Sequence, residues 1–323
     1  MKDSLNRRKF LAGSGRLAAG LAAVSLARAS PAQQGKPDLC LACRDVHLTQ
    51  TGRKGCWAAL ESIGAAGVEA GVGEDLSLPG LLHPDRRYSA AAAADIEILR
   101  ADMKAAGKRI SALCMNNRFE DRPDFEVEWC GKAARAAQAL GVTAIRIDVV
   151  PHKLAAAEFV DFAVRILKQT IEATEPTGVA FAIENHGGTT NNPEFLKALF
   201  DRVVSPRLGL TLDTGNFYWF GHPLSKVYDL YETFAPRVRH THCKSIRFPE
   251  REREKRRPVG WEYGKHNCPI YEGDIDFRRV VKILRAASYA GDLCVEDESL
   301  DKFPAAERGA VLAKEIRHLK DCM

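Results

Sequence analysis

Four short stretches of this 323-residue chain end an apolar run in side chains that bind cations or move protons. "VAFAIENH" closes on Glu184, Asn185 and His186, and "LGLTLDTGN" on Asp213, Thr214, Gly215 and Asn216. "HTHCK" sets His240, His242 and Lys244 at alternate positions, which is one face of a strand. "DLCVEDE" closes on Glu296, Asp297 and Glu298. A single buried acid is commonly a structural hydrogen-bond partner. Several acids and imidazoles converging on one rim repel, or are badly desolvated, unless a cation lies among them. One divalent metal ion supplies that cation. Two or three carboxylates with one imidazole suit Mn²⁺, Mg²⁺, Co²⁺ or Zn²⁺, and no obvious cysteine ligand joins them.

The elements that must carry these ends alternate along the chain. Strand patterns at 39–45, 67–72, 109–115, 142–150, 179–185, 208–214, 238–246 and 292–298 are each followed by a helical pattern. The helices are expected over 54–66, 91–107, 124–140, from beyond 150 to about 174, from about Pro193, and over 224–235, 276–288 and 304–320. Strict alternation implies parallel strands covered by helices. Eight units is the number that closes a single-domain (β/α)8 TIM barrel, whose chemistry sits at the C-terminal strand ends. An open doubly wound sheet is the alternative. It lacks support because no GxGxxG follows the first strand.

"ENH", "LDTGN", "HTHCKSIR", "YEGDIDF" and "CVEDES", in this order, resemble the xylose-isomerase-like TIM barrels. That family includes sugar and sugar-phosphate isomerases and epimerases, inosose dehydratases and apurinic-site endonucleases. The resemblance covers residues 36–320. In the sugar epimerases of the family a Glu, an Asp, a His and a second Glu hold one metal, and the matching residues are Glu184, Asp213, His242 and Glu296. His242 matches better than His240 because the family ligand stands in an H-x-K context. Tyr271 takes the place of the first glycine in the family's G-x-G-x-I-D-F.

The resemblance implies an enediolate mechanism. A metal that chelates the oxygens of a ketose makes the adjacent proton removable. Glu184 and Glu296 are then the acid and base. Return of the proton to the opposite face is epimerisation, and return to the neighbouring carbon is isomerisation. Loss of a leaving group is elimination, so a metal-dependent lyase, dehydratase or keto-glycoside-cleaving enzyme is the alternative. A non-catalytic sugar-binding barrel is the second. Candidates to hold substrate oxygens are His186, Asn216, Lys244 and Arg247. Each has a plainer role: His186 orients Glu184, Asn216 caps the next segment, and Lys244 partners an acid. His240 reads as a core histidine, and Glu298 as a substitute for Glu296. His47, Arg118, Arg146 and His152 lie near the ends of the first, third and fourth strands as further candidates for substrate contact.

The first 29 residues stand apart. "RRKFL" from Arg7 precedes an Ala/Gly-rich apolar run and "ARA" at 27–29, the pattern of a twin-arginine export signal with its cleavage site. The expected partner is the twin-arginine translocase, the expected location periplasmic or otherwise exported. The run is too short and too weakly apolar for a stable membrane span. Residues 1–29 carry six Lys/Arg against one acid, and that +5 equals the net charge of the whole chain. The remainder is near neutral, so the basic isoelectric point gives no reason to expect nucleic acid as a partner. An apurinic-site endonuclease also needs several more histidines, and the second and third strands end without any. The expected substrate is a small carbohydrate; oligomeric assembly stays open.

Nine cysteines, at 40, 43, 56, 114, 130, 243, 268, 294 and 322, cannot all pair. Cys40 and Cys43 form a CxxC on a strand, where they point to opposite faces. The long connection 246–269 holds five Arg/Lys and two Glu between 251 and 257. It reads as a solvated charged loop, with anion binding as the alternative and with Trp261 and Tyr263 as candidate covers for the site.

Overall fold

The structure, a computed structural model, describes residues 39–323. The expected export signal, residues 1–29, lies outside the described residues. Eight parallel strands form one barrel: β1 (Cys40–Arg44), β2 (Gly67–Gly71), β3 (Arg109–Met115), β4 (Ala144–Ile147), β5 (Ala180–Glu184), β6 (Leu208–Asp213), β7 (Val238–His242) and β10 (Asp292–Val295). Neighbours run in the order β10-β1-β2-β3-β4-β5-β6-β7. The ring closes between β7 and β10 through a single parallel bridge, Cys243 to Val295. There the Cys243 N–H donates to the Cys294 carbonyl (2.7 Å) and the Glu296 N–H to the Cys243 carbonyl (3.1 Å). The expected (β/α)8 TIM barrel is therefore the observed fold.

Period two divides each strand between two environments. On β5, Phe181 and Ile183 join the hydrophobic core, with Leu196, Leu199 and Phe200 of the next helix. Ala180 and Ala182 share the face of Glu184 and stand outside that core. Other strands repeat the division. Ile145 and Ile147, Leu210 and Leu212, and Leu293 and Val295 pack outward, whereas the faces of Arg146, Asp213 and Glu296 run down to Ala144, Thr211 and Cys294. The main apolar layer is thus between strands and helices. The barrel axis is left to small and polar side chains, which leaves room for charge at its upper end.

Glycine ends several helices where expected. Gly107 and Gly141 sit at φ +63° and +75°, a left-handed turn that costs other residues a Cβ clash. The seventh strand departs from its expected span of 238–246. It stops at His242 because Cys243 turns to pair with β10, and Ser245–Ile246 becomes β8 of a hairpin with β9 (Asn267–Cys268). That hairpin closes the base of the long connection. Three of its basic residues are spent on partners within the connection or beside it. Arg253 pairs with Asp274 (3.0 Å), Lys255 with Glu252 (2.9 Å), and buried Arg257 donates to the carbonyls of Glu252, Arg253, Lys255 and His222. All nine cysteines are free.

Candidate metal centre

Glu184, Asp213, His242 and Glu296 meet at the C-terminal mouth of the barrel. One ligand atom from each lies within 4.8 Å of every other, and all four residues are buried. Strand ends place them: Glu184 is the last residue of β5, Asp213 of β6 and His242 of β7, and Glu296 follows β10 directly. The ladder slips by one residue at Leu210/Thr211 between β6 and β7, and at Val68/Glu69 between β2 and β3.

Each side chain is oriented from outside. Asp213 Oδ1 accepts the N–H groups of Gly215 (2.7 Å) and Asn216 (2.9 Å), which turns Oδ2 toward the centre. Asn185 clamps the Asp213 backbone, accepting its N–H at 2.8 Å and donating to its carbonyl at 2.9 Å. His242 presents Nδ1 to Glu184 Oε1 and to Glu296 Oε2, both at 3.3 Å. Asn216 Nδ2 donates to Glu184 Oε1 at 3.3 Å.

Cations ring the acids. Arg146 grips Glu184 through Nε (2.7 Å) and a second guanidinium nitrogen, and reaches Asp148 at 2.7 Å. Arg44 joins Glu69 (2.7 Å) to Glu296. Lys244 Nζ lies 2.8 Å from Asp213 Oδ2, 3.2 Å from Glu296 Oε2 and 2.9 Å from Glu298. These pairings set the protonation states. Burial pushes the Glu184 carboxyl up, but Arg146 and His242 outweigh it and hold the group well below the usual range. Glu296 is likewise held down against its burial by Lys244 and His242. Burial wins at Asp213, raised to about 8 despite Lys244. His242 is held protonated against its burial by Glu69, Glu296 and Glu184.

The donor set fits a divalent ion. Asp213 Oδ2 and Glu296 Oε2 are buried and lack a hydrogen bond of good geometry. Both lie near Lys244, yet an ammonium at ion-pair distance leaves their lone pairs imperfectly used. Three carboxylates and one imidazole, held from outside and open toward a common centre, are what a small hard or borderline cation requires.

The other expected residues divide. Asn216 and Lys244 are at the centre. The plainer role of Lys244 is visible in its pairs with three acids, whereas Asn216 does not cap: the short helix Asn216–Trp219 has Gly215 at its cap position, and the Asn216 side chain is turned to Glu184. His186 is at the rim, half exposed, with Nδ1 3.4 Å from Asp148 rather than on Glu184. Arg247 is exposed beside the hairpin, and its N–H donates to the His266 carbonyl. His240 lies one layer below, between Asp292 (2.9 Å) and Glu69 (3.1 Å). Glu298 is outside, taking Lys244 and the Tyr263 hydroxyl (2.7 Å). His47 Nε2 accepts the Asp297 N–H at 3.2 Å, and burial lowers its pKa to about 4, so it is neutral. Arg118 and His152 are bound into neighbouring loops through Asp121 and Glu120.

Glu69 and Arg44 were not among the expected site residues. Glu69 is 1% exposed and touches both histidines. The signal that would have found it is an acid in the middle of the otherwise apolar "GVEAG", since a lone carboxylate inside a strand covered on both faces must have partners.

The family model for "Xylose isomerase-like TIM barrel" matches residues 57–322. The chain belongs to this family. An inosose dehydratase of Clostridium perfringens is 30% identical over 125 residues, which is 38% of this chain and 41% of that protein. The match thus spans well under half of the relative's length. Among solved structures, the IOLI protein with a binding zinc atom superposes with a TM-score of 0.66 at 17% identity, over 88% of this chain and 99% of that one. Mannonate dehydratase from Streptococcus suis gives 0.60 at 14% identity, over 88% and 95%. At such identities these two likenesses concern the fold.

Proposed function

We propose that this barrel is a divalent-metal-dependent isomerase or epimerase acting on a small polyhydroxylated carbonyl compound. One observation carries the proposal: two buried glutamates, Glu184 and Glu296, reach the same centre from strands separated by β6 and β7. A divalent ion held by Glu184, Asp213, His242 and Glu296 would polarise a carbonyl and make its neighbouring C–H removable. Mn²⁺, Mg²⁺, Co²⁺ and Zn²⁺ all suit the donor set, and the zinc in the IOLI protein supports a single ion in this fold.

The chain's own groups then move the proton. One glutamate takes it and the other returns it, to the opposite face or to the neighbouring carbon. Arg146 and Arg44 keep the two carboxylates ionised and fixed. Asn216, His186 and neutral His47 stand where substrate hydroxyl groups would enter, and Tyr263 lies beside Lys244 and Glu298. Dehydration begins with the same proton removal and differs in expelling a hydroxyl group. The inosose dehydratase relatives favour it as the second proposal. Incubation of metal-loaded protein with candidate ketoses, ketocyclitols and keto-glycosides in D2O tests both. An isomerase or epimerase yields deuterated isomers, and a dehydratase yields products lighter by one water. No exchange and no product with any metal would contradict both.

The proposal extends to location. Residues 1–29 carry the twin-arginine pattern and direct export of the folded protein. Replacing Arg7 and Arg8 with Lys should hold it in the cytoplasm with its activity unchanged; normal export of that variant would contradict this. No helix among the described residues is long and apolar enough to cross a membrane.

A further inference from the structure

A line of buried polar groups runs down the barrel axis beneath the proposed ligands. Asp292 meets His240 Nδ1 at 2.9 Å, and His240 Nε2 meets Glu69 Oε1 at 3.1 Å. The same Glu69 oxygen lies 2.9 Å from His242 Nε2, while His242 Nδ1 faces Glu184 and Glu296. Glu69 Oε2 takes Arg44 Nε at 2.7 Å. His240, His242 and Glu69 are each no more than 1% exposed, so water does not compete for these contacts.

The direction of each bond follows from the donors available. An ionised carboxylate only accepts, so an imidazole nitrogen bonded to it carries the hydrogen. His242 therefore holds a hydrogen on Nε2, and the proton that a cation can displace is the one on Nδ1. A ligand histidine is commonly fixed in this way by a carboxylate on its far nitrogen. The lower histidine meets a carboxylate at both nitrogens, and so grips Glu69 from below while Asp292 grips it in turn. Alternation along β2 brings this carboxylate to the axis, since its neighbours Val68 and Ala70 pack outward into the core.

We infer that Glu69 is a positioning residue for the metal centre: it fixes the Nε2–H tautomer of His242 and so presents Nδ1 to the ion, with His240 and Asp292 holding Glu69 in register. This rests on the ligand set proposed above. Its purpose is orientation, and Glu69 touches neither metal nor substrate.

Mn²⁺ affinity of chelator-treated wild type, Glu69→Ala and Glu69→Gln is the test, with circular dichroism to confirm that each variant is folded. Glu69→Ala should weaken Mn²⁺ binding about 10–100-fold, the usual range for a lost outer partner. Glu69→Gln keeps an acceptor oxygen for Nε2–H and should recover most of that loss. Nitrogen-15 spectra of the wild-type protein with Zn²⁺ provide a readout that does not depend on any variant folding. They should show His242 protonated on Nε2 and metal-bound through Nδ1. A folded Glu69→Ala protein with wild-type affinity, or a spectrum with the metal on Nε2, would overturn the role of Glu69 while leaving the ligand set in place. Wild-type protein that binds no Mn²⁺ would overturn both.

Discussion

The two sides of the barrel mouth contribute different things. Strands β5, β6, β7 and β10 bring Glu184, Asp213, His242 and Glu296, side chains with lone pairs turned to one centre. Strands β1, β2 and β4 bring Arg44, Glu69 and Arg146, which face those ligands and hold them. The unmet bonding capacity is divided in the same way. Asp213 Oδ2 and Glu296 Oε2 are held by ion pairs without a hydrogen bond of good geometry, whereas every buried side-chain N or O of Arg44, Glu69 and Arg146 has one. One side is built to bind something further, and the other is already complete. A ligand set needs such a frame because four buried charged groups have no reason to keep their aim unless each is pinned from behind.

The proposed chemistry should fail first when the acids lose their basicity. Glu184→Gln and Glu296→Gln keep a ligand oxygen but remove the base, so turnover of the true substrate should fall about 10²–10⁴-fold. Steady-state kinetics on metal-loaded variants measures this. Near wild-type rates in both would erase the functional difference between the two sides.

The frame is broken by Arg146→Met. Glu184 would then be buried with its main partner gone, a change that costs about 3–5 kcal/mol in other buried pairs. Denaturant unfolding of chelator-treated protein should show a loss of that order, partly restored by Mn²⁺. An unchanged midpoint would mean that Arg146 does not hold Glu184.

A smaller effect sharpens the contrast between the two glutamates held ionised at the mouth, Glu184 and Glu296, and one held protonated outside it. Glu315 is fully buried, and burial together with the Asp297 carboxylate holds its pKa well above the usual range. A proton between the two supplies the donor that Glu315 Oε2 and Asp297 Oδ2 both lack. The folded chain keeps this proton where the unfolded chain, with Glu near 4.3, releases it, so the group makes stability fall as pH rises above about 4.3. Glu315→Gln removes that dependence. Its melting temperature relative to wild type should therefore rise from pH 5 to pH 8, and a difference that does not change with pH would contradict the protonated state.

Much of this architecture is legible in the sequence. The third strand is expected at 109–115 and is observed as Arg109–Met115. The ends "ENH", "LDTGN", "HTH" and "CVEDE" announce themselves because polar side chains interrupt apolar runs at the points where strands must stop. The frame is harder to read. Arg44 ends an ordinary strand and is adjacent to Asp45, so nothing in the sequence aims it at Glu296, 252 residues away. Arg146 draws notice only as a candidate for substrate contact, but its guanidinium is spent on Glu184 and Asp148. The seventh strand departs from its expected span for a different reason: it turns at Cys243, where closure of the ring requires a new partner. Local pattern shows which residues end strands; which strand end meets which is decided by barrel closure and register.

Mn²⁺ titration of chelator-treated wild type and Asp213→Ala tests the central claim most directly. Asp213 is the choice because its Oδ2 is turned inward, with Lys244 as its ion-pair partner and no hydrogen bond of good geometry, while its Oδ1 is held by two backbone N–H groups. The account predicts one Mn²⁺ per wild-type chain and an affinity lowered by more than about 100-fold in the variant, beyond the loss typical of an outer partner. Equal affinity in the two proteins, or no binding by wild type, would contradict a metal centre at this mouth.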